Sequence, residues 1–204
     1  MSEKPQKIGY VLRSTAQDFV AGTRVLREEV PRFGSLVRVP ANENSEIYGI
    51  IYNITVMDDG LVQQLVTAEN VDATVIADNR INRNVPLEIS VLTLGYKRGG
   101  TVFHSLPPRP PISLDEVWDC SQSEVVDFIG TGFYYLEHIV PRLDINVGEL
   151  INAHITQVRE PLSKKYPHWQ RDIAEYLINK LRGDYDALTQ VIRALGEAFS
   201  GVTK

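Results

Sequence analysis

Four prolines stand among the seven residues Leu106–Ile112 (LPPRPPI). Proline holds φ at about −65° and carries no backbone N–H, so this segment can enter neither a sheet ladder nor a helix interior and runs as stiff polyproline II. Inside a folded chain such a segment acts as a rigid strap across a domain more readily than as a ligand for an aromatic groove. It also marks a change of period. Before it, short runs rich in β-branched and aromatic residues alternate with Gly, Pro, Asn and Asp clusters; beyond it, apolar residues recur at helical spacing.

On the strand side, Ile8–Arg13, Phe19–Leu26 and Leu36–Val39 read as brief strands, the third following a turn at Phe33-Gly34. Ile47–Met57 (IYGIIYNITVM) alternates poorly, which suits a long strand buried on both faces or one that bends at Gly49; Asp58-Asp59-Gly60 closes it. The stretches 61–69 and 72–83 lack internal turn residues and predict one or two inserted helices. Leu87–Lys97 and Thr101–Ser105, joined through Arg98-Gly99-Gly100, predict a hairpin, because paired glycines accept the positive φ angles of a tight turn.

On the helical side, Ser121 and Glu124 form an S-x-x-E capping box ahead of Val125, Val126, Phe128 and Ile129, and Gly130 stops that helix. Short helices follow over Phe133–Val140 and Asn146–Arg159, the latter ending before Pro161. Pro167 opens a fourth helix carrying Ile173, Leu177, Ile178 and Leu181, and Gly183 ends it. Asp184 caps a fifth, with Leu188, Val191, Ile192, Leu195 and Phe199 on one face. These last two, over about 167–200, predict an antiparallel pair.

Composition narrows the chemistry. Hydrophobic residues make up 43% and charged residues 23% of the 204, ordinary globular usage. There is no uninterrupted apolar run of about 18 residues, and the N-terminal residues lack the apolar stretch of a signal peptide, so a cytoplasmic protein with no membrane association is expected. Cys120 is alone and can form no internal disulfide; the reading is a small buried residue ahead of a helix. His104, His138, His154 and His168 are separated by 34, 16 and 14 positions and read as surface or capping residues rather than metal ligands. The chain contains no Gly-Lys pair, and Gly99-Gly100 leads into another strand, so no phosphate-binding loop is present. No G-x-S-x-G motif occurs, Cys120 is remote from His138, and no acid/base pair can be assigned to Asp58-Asp59. No cofactor, no metal and no enzymatic activity are expected.

Net charge is −5, with 12 Lys and Arg against 18 Asp and Glu over residues 1–140 and 9 against 8 over 141–204. Such a chain has no global attraction for phosphate backbones. The strongest local cluster is Arg80, Arg83, Lys97 and Arg98 with Tyr96 interleaved, where the cations would meet phosphates and Tyr96 would stack on a base; Asp78 and Glu88 dilute it.

The runs Ile8-Gly9-Tyr10-Val11 with Ser14-Thr15, Arg32 to Val39 (RFGSLVRV) and Ile47-Tyr48-Gly49-Ile50-Ile51 resemble the HAS-barrel, the small β-barrel shared by HerA-type DNA-translocating ATPases and rotary ATP synthase subunits. Val91 to Tyr96, the proline strap and Val117 to Ile129 resemble the closing part of that domain, so the likeness spans roughly residues 8–140. It implies an α+β fold: a small N-terminal β-barrel over residues 1–112 with inserted helices at about 61–83, then a helical region over 113–204. Where the ATPase core of that family would begin, after Asn146-Val147-Gly148-Glu149-Leu150, this chain supplies helices. The resemblance therefore implies a non-catalytic assembly or docking module that self-associates or meets a protein partner, an ATPase or a nuclease. A nucleic-acid-binding accessory role in DNA processing is the alternative.

Overall fold

The computed structural model describes residues 5–25, 30–42, 44–57, 60–68, 72–82, 85–142 and 144–200. Among them lie seven strands: β1 (Lys7–Ser14), β2 (Asp18–Val25), β3 (Leu36–Asn42), β4 (Ser45–Val56), β5 (Val85–Arg98), β6 (Thr101–Phe103) and β7 (Glu116–Asp119). The order β2-β1-β7-β3-β4-β5 closes through a β2–β5 ladder into a six-stranded barrel, and β6 hangs on the end of β5. Every pairing is antiparallel. Closure removes the free edges that an open sheet would leave, so the wall itself offers no long unpaired strand.

The helices are α1 (Leu61–Thr67), α2 (Ala73–Asn82), α3 (Gln122–Ile129), α4 (Val147–Lys165), α5 (Trp169–Lys180) and α6 (Tyr185–Ser200), with a 3₁₀ turn at Tyr134–His138. The class is α+β, with a helical insert in the barrel and the remaining helices C-terminal. The expected turn residues Asp58 and Asp59 lie outside the described residues. The insert keeps Val62, Val75 and Ile76 exposed, so its apolar residues add little to any core.

One boundary needs correction. Residue 112 does not separate barrel from helices, because β7 lies between β1 and β3 and completes the wall. Four residues, Glu116 to Asp119, are too few to display a strand period; their place comes from pairing with both neighbours. The strap delivers them there. Pro107 and Pro111 are buried while Pro108, Arg109 and Pro110 are exposed. The Ser14 hydroxyl donates to the Pro111 carbonyl, and Val11 N–H donates to the Asp115 carbonyl. Each P-x-x-P pair, Pro107/Pro110 and Pro108/Pro111, therefore has a buried member, and a groove that reads such pairs could not take both.

Two cores follow from the strand period. Val11, Phe19, Ala21, Val37, Val39, Ile47, Ile51, Ile89 and Val91 fill the barrel interior. Leu36, Tyr48, Ile50, Leu92 and Leu94 face outward from β3, β4 and β5 and are covered by α3, α4, α5 and α6. β4 is thus buried on both faces between Ile47 and Ile51, the first of the two alternatives expected of it, and its register with β5 shifts at Tyr48/Gly49. A Cβ on Gly49 would come within 2.5 Å of Val91 Cγ1 and 2.8 Å of the Leu92 carbonyl oxygen, which is why this position carries no side chain.

The α3 capping box forms as its sequence dictates: Glu124 N–H donates to Ser121 Oγ, and Ser121 N–H to Glu124 Oε2. Asp184 Oδ1 accepts from Ala187 N–H at the start of α6. α4 differs from expectation, running through Pro161 to Lys165. The helix loses the bond a residue-161 N–H would make to the Gln157 carbonyl, but Pro161 and Leu162 are both buried in the helical core, and burial outweighs the missing bond. α5 and α6 pack together, and α6 also packs on α4. Ile173, Leu177, Val191, Leu195 and Ala198 all enter the core shared with the barrel, so most of the apolar surface of this helix pair serves its own chain, while Ile178 and Ile192 stay exposed.

Candidate functional site

The β5–β6 hairpin turns at Gly99 and Gly100, whose φ angles are +56° and +84°. Pairing sets Tyr96 opposite Phe103, and their rings stack at 4.9 Å and 16°; the Arg98 guanidinium lies 5.5 Å from the Tyr96 ring centre. Tyr96 and Arg98, two residues apart, share one face. Lys97 points to the other, 4.0 Å from Asp127 of α3, which also pairs with Lys165 at 3.8 Å. Of the five residues singled out by sequence, Tyr96 and Arg98 are thus together and Lys97 faces away from them. Arg80 lies in α2, its side chain outside the described residues, and Arg83 lies outside them altogether. α2 leads into the start of β5 at Val85, whereas Tyr96 is near its far end, about 35 Å along an extended strand at 3.3 Å per residue.

A polar junction that sequence reasoning missed ties the barrel to α3. Arg38 on β3 reaches Glu46 Oε1 on β4 at 3.1 Å and Glu124 Oε1 on α3 at 2.6 Å. Tyr48 O–H donates to Glu46 Oε2, and the Tyr48 ring stacks on Phe128 at 4.7 Å. Beside it, burial pushes the Asp119 carboxyl up to about 6, with Arg32 partly offsetting the effect. Burial also pushes the Cys120 thiol up, away from the thiolate a nucleophile needs.

His154 departs from the surface reading given to all four histidines. It is fully buried on α4, with Nδ1 3.1 Å from the Gly34 carbonyl and Nε2 3.1 Å from the Tyr135 hydroxyl. A carbonyl only accepts, so Nδ1 carries the proton and Nε2 accepts from Tyr135. Burial lowers its pKa to about 4, leaving it neutral. Helical position 154 falls among Leu150, Ile151, Ile155 and Val158, and that spacing was the signal available in the sequence. His104 and His138 are half-buried and joined, His138 Nε2 lying 3.2 Å from the His104 carbonyl.

The barrel's outer surface exposes large apolar side chains where β1 meets the turn after the strap. Tyr10 and Leu12 project from β1 at 42% and 46% exposure, and Ile112 and Leu114 stand beside them at 69% and 78%. Leu114 N–H donates to the Val11 carbonyl and the Ser113 hydroxyl to the Leu12 carbonyl, so the two segments form one surface. Leu114 has φ +75°, a left-handed conformation that costs a residue bearing Cβ about 1–2 kcal/mol.

Among the described residues no three His, Cys, Asp or Glu side chains are placed to hold a metal ion, and no helix is long and apolar enough to cross a membrane. No protein-family model and no curated protein sequence matches the chain.

Proposed function

We propose that this chain is a non-catalytic assembly or docking module of the HAS-barrel kind, acting through self-association or a protein partner. The observation that carries this reading is the apolar surface of Tyr10, Leu12, Ile112 and Leu114. A leucine 78% exposed in a left-handed backbone gains nothing in the isolated chain; burial against another surface would return about 1.5–3 kcal/mol for such a side chain. The closed barrel and the resemblance in Ile8–Val11, Arg32–Val39 and Ile47–Ile51 support the same reading, and the resemblance names an ATPase or a nuclease as the partner class. The C-terminal helix pair contributes less than its amphipathic pattern suggests, since most of its apolar residues, Ile178 and Ile192 excepted, are already covered.

The test is light scattering after size exclusion, with partner capture, on wild type and on Leu12→Glu with Leu114→Glu. Both positions are exposed, so the variant keeps its fold. Wild type should form a species heavier than 23.0 kDa, alone or with a captured protein, and the variant should lose it. A wild-type chain that stays at 23.0 kDa and captures nothing would remove the basis for the proposal.

A second reading, a nucleic-acid accessory role, draws on the Phe103–Tyr96–Arg98 stack at the hairpin. It predicts salt-sensitive binding of single- or double-stranded DNA that weakens when Arg98 and Lys97 are replaced by alanine, and weakens further when Arg80 and Arg83 are replaced as well. Absence of any mobility shift at low salt disposes of it.

A further inference from the structure

A groove of about 620 Å³ opens between the first turns of α4 and the length of α6. Its apolar lining that reaches the surface is Ile145 and Val147 on one side and Ala187 on the other, over the buried Val191 and Ala194. Along α6 the lining runs from Asp184 to Glu197, about 20 Å at 1.5 Å per residue. That length matches three to four turns of a bound helix.

The rim is acidic. Glu149, Asp184, Asp186 and Glu197 line it against Arg142 and Arg193. Neither arginine offers a free charge to a ligand. Arg142 is held by Asp144 at 2.7 and 2.6 Å, with Asp18 at 3.9 Å, and Arg193 is held by Glu197 at 3.1 Å. Among the described residues Glu149, Asp184 and Asp186 make no ion pair within 4.0 Å. Asp184 caps α6, and Glu149 and Asp186 stand in first turns, where they offset helix dipoles. The positive ends of both helices are thereby answered from within, and the surplus charge at the groove mouth is negative.

We infer that this groove docks a Lys/Arg-rich amphipathic helix of a partner protein, its apolar side laid on the part-exposed Ile145, Val147 and Ala187 and its cations meeting Glu149, Asp184 and Asp186. An apolar floor with a rim of one sign selects a helix of opposite sign: the floor supplies contact area and the rim supplies discrimination. The site is separate from the β1 surface and does not depend on it.

The experiment titrates a labelled synthetic amphipathic helix of leucine and lysine into the full chain, and the same peptide with every lysine replaced by glutamate. The lysine peptide should bind and the glutamate peptide should not. Glu149→Lys with Asp186→Lys should weaken the lysine peptide about tenfold by reversing the rim charge. Ala187→Trp, which fills the groove while leaving the rim charge intact, should weaken it as well. Both rim positions are exposed, so a first-turn lysine costs each helix about 0.3–1 kcal/mol against its dipole while circular dichroism should still report the folded helices, and amide shifts on binding should fall on α4 and α6. Leu12→Glu with Leu114→Glu should leave this affinity unaltered, so loss of self-association and loss of peptide docking are separable. Equal affinity for the two peptides, no effect of the groove variants, or shifts mapping elsewhere would each overturn the inference.

Discussion

Phe128→Ala is expected to destabilise the chain by about 3–5 kcal/mol and to loosen the helices ahead of the barrel. Phe128 is fully buried and lies where the two layers meet: stacked on Tyr48 of β4 at 4.7 Å, edge-on to His104 at 4.8 Å and 5.8 Å from Tyr135. Removing the ring leaves a cavity that the closed barrel wall cannot collapse into, because the other face of that wall is already filled by Ile47, Ile51 and Val91. The loss therefore falls on the outer core. Hydrogen exchange reads this directly: amides of α3, α4 and α6 should lose protection in the variant while those of Val11, Ile89 and Val91 retain most of theirs. A uniform loss across both layers would show that barrel and helices unfold as one unit, and a shift below about 1 kcal/mol would show that the junction is not where the layers are joined.

The second large effect is a pair of opposed pH dependences. His154 has its pKa lowered to about 4 from the ordinary 6.5 by burial. Above pH 6.5 it is neutral folded or unfolded and contributes no slope. As pH falls from 6.5 to 4 the unfolded chain takes up a proton that the folded chain refuses, and about 3 kcal/mol of stability is lost. Asp119 works the other way. Burial raises it to about 6 from 3.8, so between those values the folded chain keeps a proton the unfolded chain releases, and stability falls by at most about 3 kcal/mol as pH rises through that window.

Where the windows overlap, between about pH 4 and 6, the two slopes cancel and the wild-type curve is nearly flat from these groups. Asp119→Asn should be more stable than wild type at pH 7 and should lose that advantage toward pH 4. His154→Gln, whose amide can still donate to Gly34 and accept from Tyr135, should become more stable relative to its own neutral-pH value as acid is added. Urea midpoints at pH 7 and pH 4.5 on the three proteins decide it. The ion-paired Asp144, held at about 2 by Arg142, titrates below this range and is common to all three. An Asp119→Asn variant no more stable than wild type at pH 7 would show that the carboxyl is solvated in the folded chain.

Much of the architecture is written in local patterns. The Gly99-Gly100 turn, the Ser121/Glu124 capping box and the Asp184 cap each depend on two to four neighbouring residues, and each forms where its residues stand. The inserted helices were legible for the same reason. β7 was not, because Glu116–Asp119 becomes a strand only by sitting between β1 and β3, more than seventy positions upstream in sequence. The end of α4 was misplaced because proline was weighed by its missing N–H alone, and the burial of Pro161 and Leu162 enters only once the core exists.

The functional residues divide in the same way. Tyr96, Lys97 and Arg98 are adjacent in sequence, yet the period-2 pleat sends Lys97 to Asp127 and the others to the opposite face, while a whole strand intervenes before α2. The exposed surface of Leu12 and Leu114, the Arg38 junction with Glu46 and Glu124, and the acidic groove between α4 and α6 each join residues far apart in the chain. By itself the sequence determined the α+β class, the strap, the hairpin and the helix caps, because those rest on backbone chemistry within a few residues. Only the tertiary structure decided which strands close the barrel, which face of each helix is spent, and that His154 is buried and Asp119 half-buried, since burial is a property of contacts that exist only after distant segments meet.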